Sequence, residues 1–146
     1  MTDPRPRLRF ALAALLGLAL GLAPAAHAEP AADDPQRPLV VRIHADWCGT
    51  CTRLGPVWER LEAAYGKRAQ LVVFDVTDRD AVARSREAAE RLGLVEFFDD
   101  HKSRTGTVAV LGGDRKPVAV FKGETDFDRY AVALGRALGD AKSPKS

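Results

Sequence analysis

The chain has 146 residues, with 22 basic and 20 acidic side chains and only two cysteines. Once an N-terminal targeting segment is set aside, that length suits one compact domain and is too short for two. Without the three arginines and one aspartate of that segment, 19 basic and 19 acidic side chains remain, so charge gives no general reason to bind nucleic acid or an acidic membrane surface. Two cysteines are also too few to staple a small exported domain, so we expect them to serve chemistry.

Residues 1–28 have the pattern of a secretory signal peptide. Three arginines precede an apolar run from Phe10 to Ala23, and Ala26-His27-Ala28 is a small-x-small cleavage pattern. The apolar run of about 14 residues is shorter than the roughly 20 needed to cross a bilayer, which favours cleavage over an uncleaved membrane anchor. We therefore expect a soluble mature protein that begins at Glu29 and is exported, in the first instance to the periplasm.

Beyond that segment, strand-like and helix-like patterns alternate along the chain. In order, we predict a flexible leader (29–38), a strand (Leu39–His44), a helix from the cysteine motif to about Gly66, a strand (Leu71–Val76), a helix (Ala81–Leu92), two strands (Thr107–Leu111 and Val118–Lys122), a helix (Asp126–Leu138) and a frayed tail (139–146). The nearly all-apolar second strand is expected to be buried and parallel to the first. This order predicts one α/β domain over residues 39–138, with a central mixed β-sheet flanked by helices on both faces.

Apolar residues at three- and four-residue spacing indicate which helix faces are buried. The face after the cysteine motif comprises Leu54, Val57, Trp58, Leu61 and Tyr65, and that of the last helix comprises Phe127, Tyr130, Leu134 and Leu138. We expect Trp58 in the core rather than at a ligand. Polar residues at 77–80 are expected to cap the helix at 81–92, and Gly93 to end it.

Both cysteines lie in one short motif, Trp47-Cys48-Gly49-Thr50-Cys51, between the first strand and the following helix. At the first turn of a helix, unpaired backbone N–H groups and the helix dipole favour a thiolate, which is the reactive form of cysteine. The spacing therefore predicts a pair that alternates between dithiol and disulfide. Cys48 is expected to be the more exposed, attacking thiol, and Cys51 to resolve the mixed disulfide.

Trp47 directly before Cys48, the preceding strand, and Pro56 five residues after Cys51 resemble the thioredoxin superfamily. The resemblance covers roughly residues 39–138 and implies a thioredoxin-like fold. It also implies an exported, monomeric protein-disulfide oxidoreductase that needs no bound cofactor or metal. Its partners would be client proteins with disulfides or thiols, and an upstream redox partner such as a membrane thiol–disulfide reductase.

The resemblance also assigns roles around the cysteines. In thioredoxin-like proteins a proline at the position of Pro56 kinks the active-site helix. Trp47, Gly49 and Thr50 are expected to support the pair, with Trp47 shielding it.

The loop that would face the cysteines departs from the family. Thr105-Gly106-Thr107 stands where thioredoxin-like proteins have a substrate-docking loop with a cis-proline followed by threonine. Because a cis bond without proline costs about 2.5–4 kcal/mol, we expect a trans Thr105–Gly106 bond. The N–H of Gly106 would then be able to donate to a client peptide.

Two further departures leave alternatives open. Arg42 stands where the family has a buried acid that helps to move the proton of the second cysteine. Either that proton goes to solvent or to another group, or Arg42 is a surface or edge residue in a shifted register. Residues Val95 to Arg104 are either an ordinary packed connector or a partner-recognition insert. Of Phe97 and Phe98, we expect one in the core and the other near the active-site rim.

The leading functional hypothesis is an extracytoplasmic thiol–disulfide oxidoreductase, with reduction favoured over oxidation because a lone small domain resembles exported reducing members of the family. The Gly-Thr between the cysteines does not fix the direction. A second hypothesis is a periplasmic copper-binding or copper-delivery module that uses Cys48, Cys51 and His44. A third is a redox-inert binding module of the same fold, although such modules usually lack one of the two cysteines.

Overall fold

The computed structural model describes residues 36–139, which form four strands and five helices. The elements are β1 (Leu39–His44), α1 (Gly49–Arg53), α2 (Gly55–Tyr65), β2 (Gln70–Asp75), α3 (Arg79–Leu92), α4 (Val95–His101), β3 (Thr107–Leu111), β4 (Pro117–Lys122) and α5 (Phe127–Ala137). The predicted order is confirmed, with α4 as an additional helix. The predicted signal peptide, most of the leader and the tail from residue 140 lie outside the described residues.

One four-stranded mixed sheet, in the order β2-β1-β3-β4, organises residues 36–139. β1 pairs in parallel with β2 and antiparallel with β3, and β4 pairs antiparallel with β3. The predicted parallel pairing is therefore confirmed. The expectation that the second strand is buried is wrong, because β2 is an edge strand in which Val73 is 45% exposed.

Side chains of the central strand alternate between two apolar clusters, one on each face of the sheet. Leu39, Val41 and Ile43 join a cluster with side chains of α3 and α4. Val40 points the other way, toward side chains of α2 and α5. Helices therefore cover both faces, as predicted, and within the described residues no helix is long and apolar enough to span a membrane.

The predicted helix faces are mostly buried. Trp58 is 7% exposed and belongs to the core, as expected, and Tyr130 and Leu134 of α5 are fully buried. Phe127 and Leu138 are only partly buried, because they lie at the two ends of α5. Asp78 caps α3 and Gly93 ends it in a left-handed conformation, with a φ of 69°.

The helix after the cysteine motif is divided at Leu54, where α1 ends, and α2 begins at Gly55 with Pro56 in its first turn. Proline has no backbone N–H and cannot continue the hydrogen-bond ladder of the preceding turn. The division agrees with the kink that the resemblance implies.

The segment expected to be a connector or an insert folds as α4. Phe98 is fully buried and packs edge-on against Phe74 at 5.2 Å between ring centroids. Phe97 stacks on His101 at 4.2 Å and lines a groove beside the β3–β4 turn. That turn lies at the opposite end of β3 from Thr107, so the expectation that one phenylalanine lies near the active-site rim is wrong. The packing of Phe98 agrees with the packed connector.

Candidate functional site

The cysteine motif begins directly after the central strand. The backbone N–H of Cys48 donates to the carbonyl of Ala45 at 3.0 Å, and Cys48 is the N-cap of α1, so its Sγ accepts the backbone N–H of Cys51 at 3.2 Å. Both cysteines are free thiols. The short loop thus places Cys48 at the first turn of a helix, as predicted.

The two thiols have different surroundings. Burial acts to raise the pKa of Cys48, but hydrogen bonds from Cys51, from the Thr105 side chain and from the backbone outweigh it and lower that pKa below its usual value. Burial raises the pKa of Cys51, and the neighbouring Cys48 raises it further. Cys48 is 7% exposed and Cys51 is fully buried, so the more exposed thiol is the predicted one.

Arg42 contacts the backbone of the second cysteine, Cys51. It is only 7% exposed, and its Nη2 donates to the backbone carbonyl of Cys51 at 2.7 Å. The guanidinium carbon lies 5.7 Å from the centroid of the Trp58 ring. The alternative of a surface residue is therefore wrong, because β1 is central and α2 covers this face.

Arg42 also belongs to a row of three hydrogen-bonded side chains that was not predicted from the sequence. Its Nη2 lies 3.0 Å from Nδ1 of His44, and Nε2 of His44 lies 3.2 Å from Oδ1 of Asp46. Because arginine can only donate, Nδ1 accepts, and the proton of a neutral His44 is on Nε2. The signal in the sequence was an arginine and a histidine two positions apart, and so on one face, in an otherwise apolar strand.

The loop at Gly106 closes against β1 with its polar backbone groups already used. The Thr105–Gly106 bond is trans, as expected, and Gly106 has a φ of 79°. Its N–H donates to the carbonyl of Ile43 at 2.8 Å, and its carbonyl accepts the N–H of Gly123 at 2.9 Å. The expectation that this N–H is free for a client peptide is therefore wrong.

Gly106 and Gly123 together form a notch for the side chain of Thr50. A Cβ on Gly106 would lie 2.7 Å from the Thr50 methyl carbon and 3.9 Å from the Cys48 sulfur, and a Cβ on Gly123 would lie 3.1 Å from the same methyl. Gly106 thus faces the cysteine pair. Proline, with its φ fixed near about −65°, cannot adopt this conformation. No motif in the sequence pointed to Gly123, which lies beyond β4.

The threonines that flank Gly106 face different ways. The Thr105 side chain reaches Cys48, as its effect on that thiol's pKa indicates, and the Thr105 carbonyl accepts a hydrogen bond from Nζ of Lys122. Thr107 is 3% exposed, and its hydroxyl donates to the carbonyl of Arg104 at 2.7 Å. Of the predicted docking loop, Thr105 and Gly106 therefore face Cys48 and Thr107 points inward.

Trp47 lies on the surface beside the motif. Its side chain is 67% exposed, and its Nε1 donates to the carbonyl of Thr77 at 3.1 Å. The Thr77 hydroxyl accepts the N–H of Asp46 at 3.0 Å and donates to Asp75 at 2.6 Å. The β2–α3 loop therefore fixes the segment that leads into Cys48.

Gly49 opens toward solvent, since a Cβ there would meet nothing within 4 Å. Gly49 is therefore an exposed position directly beside Cys48. In residues 36–139, no group of three or more histidine, cysteine, aspartate or glutamate side chains is arranged to hold a metal ion. The site therefore has the geometry for thiol chemistry, with one slightly exposed thiol of lowered pKa and a second thiol that is fully buried.

Comparison with known proteins points to one family. The family model described as Thioredoxin matches residues 22–105. Mouse protein disulfide-isomerase A2 is 30% identical over 108 residues, which are 73% of this chain and 18% of the mouse protein. Thioredoxin H-type of Chlamydomonas reinhardtii is 39% identical over 64 residues, which are 44% of this chain and 54% of the algal protein. The chain thus spans about a fifth of the mouse relative and about half of the algal one.

Solved structures share the arrangement of strands and helices. MTB DsbF, in its mixed oxidised and reduced forms, superposes with a TM-score of 0.51 at 18% identity, over 70% of this chain and 81% of that one. A thioredoxin-like protein in its oxidised form superposes with a TM-score of 0.50 at 11% identity, over 73% and 81%. At these identities the likeness concerns the fold, and the fold is thioredoxin-like.

Proposed function

Because the chain belongs to the thioredoxin family of thiol–disulfide oxidoreductases, we propose that it exchanges electrons with cysteines of other proteins through Cys48 and Cys51. The inequality of the two thiols carries this proposal. Cys48 has a lowered pKa and some exposure, whereas Cys51 has a raised pKa and is buried. The first property suits a nucleophile, and the second keeps the partner thiol protonated until it is needed.

In the reducing direction the chemistry has two steps. The Cys48 thiolate attacks one sulfur of a client disulfide, forms a mixed disulfide, and releases the other client sulfur as a thiolate. Cys51 then loses its proton to that thiolate or to water and attacks the Cys48 sulfur. The second client sulfur leaves with the electron pair and takes up a proton, so the client gains two electrons and the protein becomes a Cys48–Cys51 disulfide.

The open side at Gly49 and the exposed Trp47 supply a surface for a client beside Cys48. We propose a periplasmic location on the N-terminal targeting pattern. We propose reduction rather than oxidation as the direction because the domain of residues 36–139 contains no inserted helical domain. An upstream partner, such as a membrane thiol–disulfide reductase, would return the electrons. A reduction potential well below about −200 mV in a glutathione series supports this direction, and a potential well above it contradicts it.

Trapping of mixed disulfides tests the assignment. In a Cys51→Ser variant the second step is blocked, so client proteins should accumulate as disulfides on Cys48, visible as reducible high-mass bands on a gel. Cys48→Ser is the matched control and should trap nothing, because the buried Cys51 does not meet a client. If Cys51 alone traps clients, the roles are reversed.

The copper alternative would use Cys48, Cys51 and His44, and in this structure His44 already bonds to Arg42 and Asp46. No contact of the described residues favours this second function. Mass spectrometry of the mature protein separates the two. A mass difference of two hydrogens between the protein with and without reductant supports a redox function, whereas stoichiometric, tightly bound Cu(I) supports copper delivery.

A further inference from the structure

Arg42 is a buried cation without an anionic partner in the described part of the chain. It is 7% exposed, and no carboxylate of residues 36–139 forms an ion pair with it. Its Nε has no hydrogen-bond partner there. Burying a charge without a counter-charge is unfavourable unless polar contacts offset the loss of water. The polar contacts of Arg42 must therefore offset the burial of its charge, and they indicate its role.

Two of those contacts lie at the break in the active-site helix. The carbonyl that accepts Nη2 of Arg42 belongs to Cys51 itself, in the last turn of α1 before the chain enters α2 at Gly55. The Trp58 ring lies against the same guanidinium. Arg42 thus donates a hydrogen bond to a carbonyl near the end of α1 and fixes the backbone of the second cysteine.

The charges that act on the Cys51 thiol are few. Burial and Cys48 raise the pKa of Cys51, whereas the backbone N–H of Ala45 and the charge of Arg42 lower it. α3 and α4 contribute apolar side chains to the cluster that holds Cys51. Arg42 also contacts His44, which bonds to Asp46. Two further titratable groups interact electrostatically with these side chains, namely Asp75 of β2 with His44 and Tyr130 of α5 with Arg42.

The balance changes when Cys48 is bonded to a client. Its sulfur is then in a disulfide and carries no negative charge, so the repulsion that opposes ionisation of Cys51 disappears. Arg42 remains as the one full positive charge that acts on Cys51 among the described residues. In the mixed disulfide, when Cys51 must become a thiolate, the charge of Arg42 is therefore no longer opposed by a charge on Cys48.

We propose that Arg42 is a positioning residue for the resolving step, whose guanidinium orients Cys51 and stabilises its thiolate while Cys48 is bonded to a client. This proposal rests on the proposed function. Arginine stays protonated at any physiological pH, so Arg42 acts through its charge and takes up no proton. The Cys51 proton goes to the leaving client thiolate or to water. A carboxylate at this position would accept the proton instead, so arginine and a carboxylate would assist the ionisation of Cys51 in different ways.

A chromogenic disulfide separates the two steps of the reaction. Reduced protein mixed with 5,5′-dithiobis(2-nitrobenzoate) releases one coloured thiolate when Cys48 attacks and a second when Cys51 resolves the mixed disulfide. The two rate constants are recorded from about pH 5 to about pH 10 for wild type, Arg42→Gln and Arg42→Lys. In Arg42→Gln the apparent pKa of the second phase should rise by about one unit, so its rate near neutral pH falls about tenfold. The first phase should be unchanged, and Arg42→Lys should restore most of the second.

Arg60→Gln is the matched control. It removes an arginine of α2 that lies over the Phe127 ring at 4.1 Å, and it should shift neither phase. The proposal is overturned if the second phase of Arg42→Gln keeps the wild-type pKa, or if both phases shift together as the melting temperature falls. Should Arg42→Gln fail to fold, Arg42→Lys decides, since a shift of a full unit despite the retained charge also overturns it.

The same experiment separates this inference from the proposed function. A wild-type protein that releases one equivalent and forms no Cys48–Cys51 disulfide contradicts the proposed function itself. Release of two equivalents with a profile insensitive to Arg42 contradicts the role of Arg42 alone.

Discussion

At the scale of single residues, groups outside the cysteine motif add to the asymmetry that the motif itself creates. Thr105 lies far along the chain from Cys48 but helps to lower its pKa. Gly106 and Gly123 leave space for Thr50, whose hydroxyl in turn accepts a hydrogen bond from Arg53 at 3.0 Å. The reactivity of Cys48 therefore depends on a loop that is distant in sequence and close in space.

The fit of Thr50 to Gly106 can be measured. Gly106→Ala should lower the free energy of unfolding by about 1–3 kcal/mol, because alanine is strained at positive φ and its Cβ meets the Thr50 methyl. Thr50→Ser removes that methyl, so the double variant should be less destabilised than the sum of the single variants by about 0.5–1 kcal/mol. Urea unfolding of the four proteins gives this coupling.

Gly49→Ala is the control for that cycle, since a Cβ at Gly49 meets nothing. Its stability should stay within about 0.5 kcal/mol of wild type. Additive effects of Gly106→Ala and Thr50→Ser would show that the two side chains do not share this space.

At the scale of elements, the β2–α3 loop supports the start of the cysteine motif. Burial acts to raise the pKa of Asp75, but hydrogen bonds from the hydroxyl and N–H of Thr77, with the charges of His44 and Arg84, outweigh it and lower that pKa below its usual range. Asp75 fixes Thr77, and Thr77 holds both Asp46 and the indole of Trp47. One carboxylate thus connects the end of β2 to the segment before Cys48.

Replacement of that carboxylate should have a pH-dependent effect. A group whose pKa is lowered on folding stabilises the protein above its unfolded pKa, and this contribution is lost as pH falls through the folded pKa. Asp75→Asn should therefore lower the free energy of unfolding by about 1 kcal/mol at pH 7, because the charged acceptor is lost. The difference from wild type should shrink as pH falls below about 3.9.

Urea unfolding at several pH values, followed by tryptophan fluorescence, checks this prediction. Asp100→Asn removes an exposed carboxylate of α4 and serves as the control. A loss of stability that is equal at neutral and acid pH would contradict the assigned role of the charge.

The strands and helices were easier to predict from the sequence than their surroundings. The apolar run of β1, the caps of α3 and the hairpin of β3 and β4 depend on neighbouring residues, so local patterns were sufficient. An apolar run does not indicate whether a strand is central or at an edge, which is why the exposure of Val73 was missed. Arginine is seldom buried, so the place of Arg42 beneath Cys51 became visible only once α2 was packed on the strand.

At the scale of the whole molecule, the described domain is one sheet with a helical layer on each face, and its site lies at one end of the central strand. The proposed export depends on residues 1–28, which lie outside the described part. Export and folding can therefore be tested separately, because the proposed cleavage removes nothing from residues 36–139.

N-terminal sequencing of protein recovered from the periplasm or medium should begin at or within a residue or two of Glu29. Small residues before the cleavage site are required by signal peptidase, so Ala28→Arg should block processing and leave the chain in the membrane fraction. Ala32→Arg lies beyond the predicted site and should be processed normally. Full-length wild-type chain in membranes would overturn the cleavage prediction.

The pairing of β1 with β3 has a consequence for how the protein acquires its chemistry as it folds. β1 is the first strand of the described chain, and β3 follows only after four helices. Contacts so distant in sequence form slowly, because a long loop must close first. Before β3 docks, Thr105 and Gly106 are away from Cys48. Without the contacts of the folded site, a cysteine has an ordinary thiol pKa of about 8.5. The part of the difference between the two thiols that depends on Thr105 thus appears only when β3 has docked, and an incompletely folded chain would form disulfides without the full preference for attack by Cys48 that the folded site imposes.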